Sequence, residues 1–175
     1  PHAGLPATPG LHRFVWDVHH ERPAAAGFSY PIAAILANTP RTPLGSWALP
    51  GAYTVRLTVD GRTQSQPLVV RIDPRVKTPP EGLSLQHSTS RAIDTAMRGA
   101  ADALADIRAR TPRTAALGEM EQRLVRAGQP LGQLFGAVEG ADAPPPPALL
   151  AAWKSASSAL DAALAEWEKL KAGLP

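Results

Sequence analysis

His19 and His20 are flanked by Asp17 and Glu21, and all four side-chain types are good ligands for zinc or copper. Adjacent residues of an extended chain point to opposite faces, so these four do not converge on one ion unless the backbone bends. The spacing therefore predicts a solvated strand end and no metal site. Ser84, His87 and Asp94 supply the residue types of a nucleophile, a base and its orienting acid. No nucleophile elbow accompanies them, and helical spacing alone brings such residues near one another. Asp102 and Asp106 stand one helical turn apart, as a carboxylate pair would, but Arg108 and Arg110 lie beside them off the apolar stripe, which describes an exposed face. The chain has no cysteine, which excludes thiol nucleophiles, thiolate metal sites and disulfides. Its glycines fall in turns and helix breaks, not in a phosphate-cradling loop. The sequence thus predicts no catalytic residue, no metal and no cofactor.

Among the aromatic residues, Trp153 and Trp167 lie on a helical stripe and read as core. Trp47 stands in a proline-rich stretch and is the one candidate ligand contact, its indole being able to stack on a sugar ring or an apolar side chain. The formal charge of +3 is spread along the chain. Arg71, Arg75 and Lys77 form the only tight basic cluster, and no aromatic residue interleaves with it, so nucleic acid is not an expected partner. No apolar run approaches the ~20 residues of a membrane-spanning helix. Pro1 opens no signal-peptide pattern and no initiator Met is present, so the chain is expected to be a piece of a larger protein with any export signal upstream.

The elements that would carry these residues change character along the chain. The 19 prolines and 14 glycines crowd into residues 1–82 and 128–147, while alanine and leucine dominate elsewhere. This places a boundary near Pro79 and Pro80. Residues 10–18 are rich in β-branched and aromatic types and predict a strand, with Trp16 in the core. Residues 21–50 carry prolines at 23, 31, 40, 43 and 50 and predict a long extended connection packed through Phe28, Tyr30, Ile32, Ile35, Leu36 and Trp47. From residue 51, Tyr53, Val55, Leu57 and Val59 alternate with Thr54, Arg56 and Thr58. Asp60-Gly61 then supplies a tight turn, and Leu68, Val70 and Ile72 return as a second strand, with Pro67 marking an edge.

Beyond Leu83 the period becomes helical. Ile93, Met97, Ala100, Leu104 and Ile107 form one stripe, ended by Pro112. Leu117, Met120, Leu124 and Ala127 form a second, which Gly128-Gln129-Pro130 kinks or splits before Leu131, Leu134, Phe135 and Val138 resume it. After the turn at Pro144 to Pro147 a third stripe runs from Leu149 through Trp153, Leu160 and Trp167 to Leu170. Short links make these helices pack antiparallel, since each has a stripe to bury.

Residues 10–17 (Gly-Leu-His-Arg-Phe-Val-Trp-Asp) and 50–61 (Pro-Gly-Ala-Tyr-Thr-Val-Arg-Leu-Thr-Val-Asp-Gly) resemble a bacterial segment, as do Gln66-Pro67-Leu68, Asp73-Pro74-Arg75-Val76 and residues 134–144. Together they are similar to the C-terminal region of large exported proteins labelled BNR-repeat or sortilin-like β-propeller proteins and glycosyl hydrolases. The Trp-Asp and Pro-Gly-x-Tyr pair also resembles the Ig-like, fibronectin-type-III-like domain of flagellar hook-capping proteins. The resemblance implies an α+β chain, with residues 1–79 an Ig-like segment of an antiparallel β-sandwich lacking its N-terminal strands and residues 80–175 an antiparallel three-helix bundle.

It further implies an exported protein, periplasmic, cell-surface or secreted, whose hydrolase chemistry would belong to upstream propellers. The expected role is a non-catalytic structural or interaction module, with the upstream β-propeller as partner and polysaccharide or protein as a further one. A carbohydrate-binding accessory module centred on Trp47 is the alternative.

Overall fold

The computed structural model describes residues 8–23 and 44–174. The packing expected of Phe28, Tyr30, Ile32, Ile35 and Leu36 lies outside those residues. The described elements are strands β1 (Gly51–Val59) and β2 (Arg62–Val70) and helices α1 (Pro80–Ala109), α2 (Ala115–Gly128), α3 (Leu131–Glu139) and α4 (Pro147–Ala172). An α+β composition is present as expected.

The sandwich is not. The described residues form one two-stranded antiparallel sheet, β1 against β2, and a sandwich requires two sheets packed face to face. The Ig-like and fibronectin-type-III-like readings are corrected accordingly. The physical reason lies in residues 10–18, whose composition favours a strand but which have no partner ladder beside them among the described residues. Leu11 and Val15 are largely exposed, and Trp16 is half-buried instead of sitting in the core. Strand propensity reflects fit to a pleated, half-buried surface, and without a neighbour it selects nothing.

The hairpin forms where alternation and turn chemistry agree. Asp60 and Gly61 have φ of 48° and 75°, both in the left-handed region that a two-residue turn demands. Register follows from that turn, from Val59 opposite Arg62 through Leu57 opposite Gln64 and Tyr53 opposite Leu68 to Gly51 opposite Val70. One face consequently carries Tyr53, Val55, Leu57, Val59, Leu68 and Val70, and the other carries Thr54, Arg56, Thr58 and Thr63. The hairpin makes no extensive contact with any helix.

The helices hold the apolar core. Proline opens α1 at Pro80 and α4 at Pro147, where its missing donor costs nothing, and the Thr114 hydroxyl caps α2 by accepting from the Leu117 amide at 3.3 Å. The stripes meet as their spacing predicts. Ile93, Met97, Ala100 and Ile107 pack with Leu117, Met120 and Leu124, with Leu131, Phe135 and Val138, and with Leu160, Ala163 and Trp167. The second stripe is split at Gln129-Pro130 into α2 and α3.

Polar bonds between helices fix the antiparallel course. Arg108 near the end of α1 bonds Glu121 midway along α2 at 2.7 Å, and Gln86 near the start of α1 donates to the carbonyls of Val138, at the end of α3, and Ala141, just beyond it. Part-exposed Asp106 ties α1 to α4, receiving Lys171 at 2.9 Å and Arg110 at 3.2 Å, and these two cations hold its carboxyl below the usual carboxylate range. Arg108 and Arg113 do the same for Glu121.

Candidate functional site at the junction of hairpin and bundle

The buried face of α1 changes character midway. Its second half is apolar, but its first half buries Gln86, Thr89, Ser90 and Asp94. Gln86 finds its partners at the end of α3, Thr89 at the Leu85 carbonyl and Asp94 at Arg91 and Arg98 of α1 itself. A short junction segment ahead of the hairpin reaches the same half of α1 through His87 and Arg98. There His19 and Trp47 form an antiparallel bridge, with the His20 amide donating to the Ser46 carbonyl and the Ala48 amide to the Val18 carbonyl, both at 2.8 Å. Val18 has φ 59°, a costly conformation for a β-branched residue, and Gly45 lies so close to His20 that no side chain fits between them. The chain accepts this strain to bring Ser46 and Trp47 onto α1.

The junction's polar contacts are specific. The Trp16 indole donates to the His19 carbonyl at 2.8 Å, and the His19 amide donates to the Asp17 carboxylate at 3.1 Å. His19 Nδ1 lies 2.8 Å from the Asp17 carbonyl, which can only accept, so Nδ1 carries a proton. By the same argument His87 Nδ1 donates to the Trp47 carbonyl at 2.9 Å. The Trp47 amide donates to Glu139 at 3.0 Å, so the backbone of residue 47 ties the junction to both α1 and α3.

The two neighbouring imidazoles leave the backbone on opposite sides. His19 lies on the Trp47 indole with ring centroids 3.8 Å apart, and His20 faces His87 at 5.1 Å. Among the described residues no group of three or more histidines and carboxylates is placed to hold a metal ion.

Asp94 is 2 % exposed and pairs with Arg91 at 3.1 Å and Arg98 at 3.3 Å. Arg98 reaches on to the Arg22 carbonyl at 3.2 Å, so this carboxylate anchors the junction through its cation. Three buried oxygens, Ser46 Oγ, Ser90 Oγ and Asp94 Oδ1, have no hydrogen-bond partner among the described groups. Ser84, His87 and Asp94 are not brought together as a triad: Ser84 is exposed, His87 is committed to Trp47, and Asp94 to its arginines. Among the described residues no serine hydroxyl is hydrogen-bonded to an imidazole.

Between the junction, the end of β2 and helices α1 and α3 lies a cavity of about 240 Å³, lined by Trp47, Leu49, Ile72, Leu83, His87 and Glu139 among others. Trp47 is 43 % exposed on its rim. Trp167 is buried in the core and Trp153 is half-buried against it.

Burial lowers the pKa of His20 below the ordinary imidazole value, helped by the positive charge of Arg91 and by His87 and His19, against the opposing pull of Asp94. The folded protein therefore prefers His20 neutral. Its contribution to stability is complete above the unfolded pKa of about 6.5 and is lost as pH falls through the lower folded value. Acidification is expected to destabilise the wild type more steeply than a His20→Gln variant, in denaturant titrations between about pH 7 and pH 5. Equal slopes would show that His20 does not report on this junction.

Compared with known protein families, curated proteins and solved structures, the chain matches none.

Proposed function

We propose that the chain is a non-catalytic structural and interaction module of a larger exported protein, whose hairpin face docks on the upstream β-propeller part of that protein. The observation that carries this reading is the uncovered apolar face of the hairpin. Val55, Leu57 and Val59 are 52, 48 and 56 % exposed in a row on one side, and a shallow depression lies over Leu57, Val59, Arg62 and Gln64. Contiguous apolar surface of this kind marks an interaction site. The similarity of residues 10–17, 50–61 and 134–144 to the C-terminal region of propeller proteins supports the choice of partner. In this reading the bundle is a spacer and the junction fixes its angle to the hairpin.

Hydrogen exchange on the chain alone and on the chain joined to its native upstream residues tests the proposal. Residues 53–59 and 68–72 are expected to gain protection in the longer chain, with the helices unchanged. Equal protection in both removes the upstream partner.

A second reading, carbohydrate binding, is favoured by one observation, the half-exposed Trp47 indole on the rim of a cavity. Titration of polysaccharide fragments against tryptophan fluorescence is expected to give a saturable change that Trp47→Ala abolishes, if this reading holds. The backbone of residue 47 makes the junction bonds, so that variant keeps them.

A further inference from the structure

The hairpin has two outer edges, and they differ. A two-residue turn makes its flanking pair, Val59 and Arg62, a hydrogen-bonded one, and the pairs then alternate. Tyr53, Val55, Leu57 and Val59 consequently bond inward to β2, while the amides and carbonyls of Ala52, Thr54, Arg56 and Thr58 point outward from β1. On β2, Pro67 is paired with Thr54 at an outward position, where it has no donor to offer. The β2 edge is therefore interrupted, as natural edges are. The β1 edge carries no proline or bulge, no helix covers it among the described residues, and its only charged side chain is Arg56.

We propose that β1 pairs along this outer edge, antiparallel, with β1 of a second copy of the chain. The register is set by the residues themselves. The alignment that overlaps all of β1 puts the two-fold axis at Val55, opposite its own copy. Outward-pointing Thr54 then meets Arg56 of the other copy, and Ala52 meets Thr58. On the other face Tyr53 meets Leu57 and Gly51 meets Val59. Apolar residues oppose apolar ones, and each arginine faces a threonine. Shifting the axis to Arg56 would set two like charges directly opposite, which cross-strand pairing penalises. Pairing joins two two-stranded ribbons into one sheet of four strands and satisfies the outward groups of both β1 strands. Edge and face are separate surfaces, so a copy paired at the edge leaves the apolar face available for the upstream partner proposed above.

The test is the association state of the whole chain by analytical ultracentrifugation, with amide exchange followed residue by residue as concentration rises. A concentration-dependent dimer is expected, in which the amides of Ala52, Thr54, Arg56 and Thr58 gain protection as concentration rises while those of Tyr53, Val55 and Leu57, bonded within the hairpin, do not change with concentration. Arg56→Pro removes an outward donor and is expected to abolish the dimer. Ser65→Pro, paired with Arg56 but on the β2 edge, is expected to leave it intact. Because a proline can also unsettle the hairpin, charge provides a second readout. Thr54→Arg sets like charges opposite each other at two symmetric places and is expected to weaken the dimer by roughly 2- to 30-fold, while Thr54→Glu tightens it.

A monomer at all concentrations overturns the proposal, as does a dimer indifferent to all four substitutions. A dimer sensitive to Val55→Glu or Leu57→Glu but not to Thr54→Arg also overturns it, since that pattern belongs to face-to-face packing. The upstream docking is read separately, from the chain joined to its native upstream residues, so either proposal can fail alone.

Discussion

Replacement of Trp167 by alanine is expected to cost about 3–5 kcal/mol of folding stability. Trp167 is 1 % exposed, the largest side chain fully buried in the core, and sits on α4 where the stripes of the other helices converge. Truncation removes its transfer free energy and leaves a cavity that rigid helices cannot close. It also removes the ring beneath the Arg110 guanidinium, which lies 5.2 Å from the indole centroid and is itself tied to Asp106. A domain of this size has about 5–15 kcal/mol in all, so the variant should unfold at a much lower urea concentration. Urea titration followed by helical circular dichroism measures this, and a loss below about 1 kcal/mol would mean that α4 is not packed as described.

The second large effect is expected from a single methyl group. In Gly45→Ala the new Cβ would lie 1.9 Å from the His20 carbonyl oxygen and 2.7 Å from that of Glu21, both backbone atoms that cannot rotate away. The bridge between residues 18–20 and 46–48 must separate, at a cost of at least about 1–3 kcal/mol. Trp47 leaves His19, the His87 contact opens, and tryptophan emission should shift to the red, while the helices keep their circular dichroism because their core lies elsewhere. Gly118→Ala is the matched control. Nothing lies within 4 Å of its Cβ position, and an open helical site favours alanine by up to about 1 kcal/mol. Unchanged tryptophan emission in Gly45→Ala would contradict the close approach.

The helices were legible because their stripes repeat locally. Ile93, Met97, Ala100 and Ile107 declare one buried face without reference to any other part of the chain, and the Gln129-Pro130 interruption announces its own break. The turn at Asp60-Gly61 was legible for the same reason. Residues 10–18 were misread because a strand is defined by its neighbour, and composition alone does not supply one. The junction was the least legible part. It joins His19 to Trp47, and Trp47 and His20 to His87 of α1, contacts that leave no periodic trace. A partial signal existed in Gln86, Ser90 and Asp94, which continue the stripe of Ile93 and Met97 toward the start of α1 with polar residues. Buried polar positions on a helical stripe imply polar partners close by, which for Gln86 are the Val138 and Ala141 carbonyls and for Asp94 the guanidinium groups of Arg91 and Arg98. The sequence offers Trp47 as a candidate ligand contact through its ring, whereas in the structure it is the backbone amide and carbonyl of this residue that hold the junction.

The contrast between the two halves of α1 has a mechanical consequence. Tension entering from the N-terminal side reaches residues 18–20 and 46–48 before the bundle, and there it meets discrete hydrogen bonds: His20 to Ser46, Val18 to Ala48, Glu139 to Trp47 and Trp47 to His87. Such bonds are short-ranged and yield over a fraction of an ångström, whereas the apolar interlock of Ile107, Leu124, Phe135 and Trp167 gives way only when helices slide apart. Under such a load the junction is therefore expected to part before the helical body, whose buried core does not depend on those bonds.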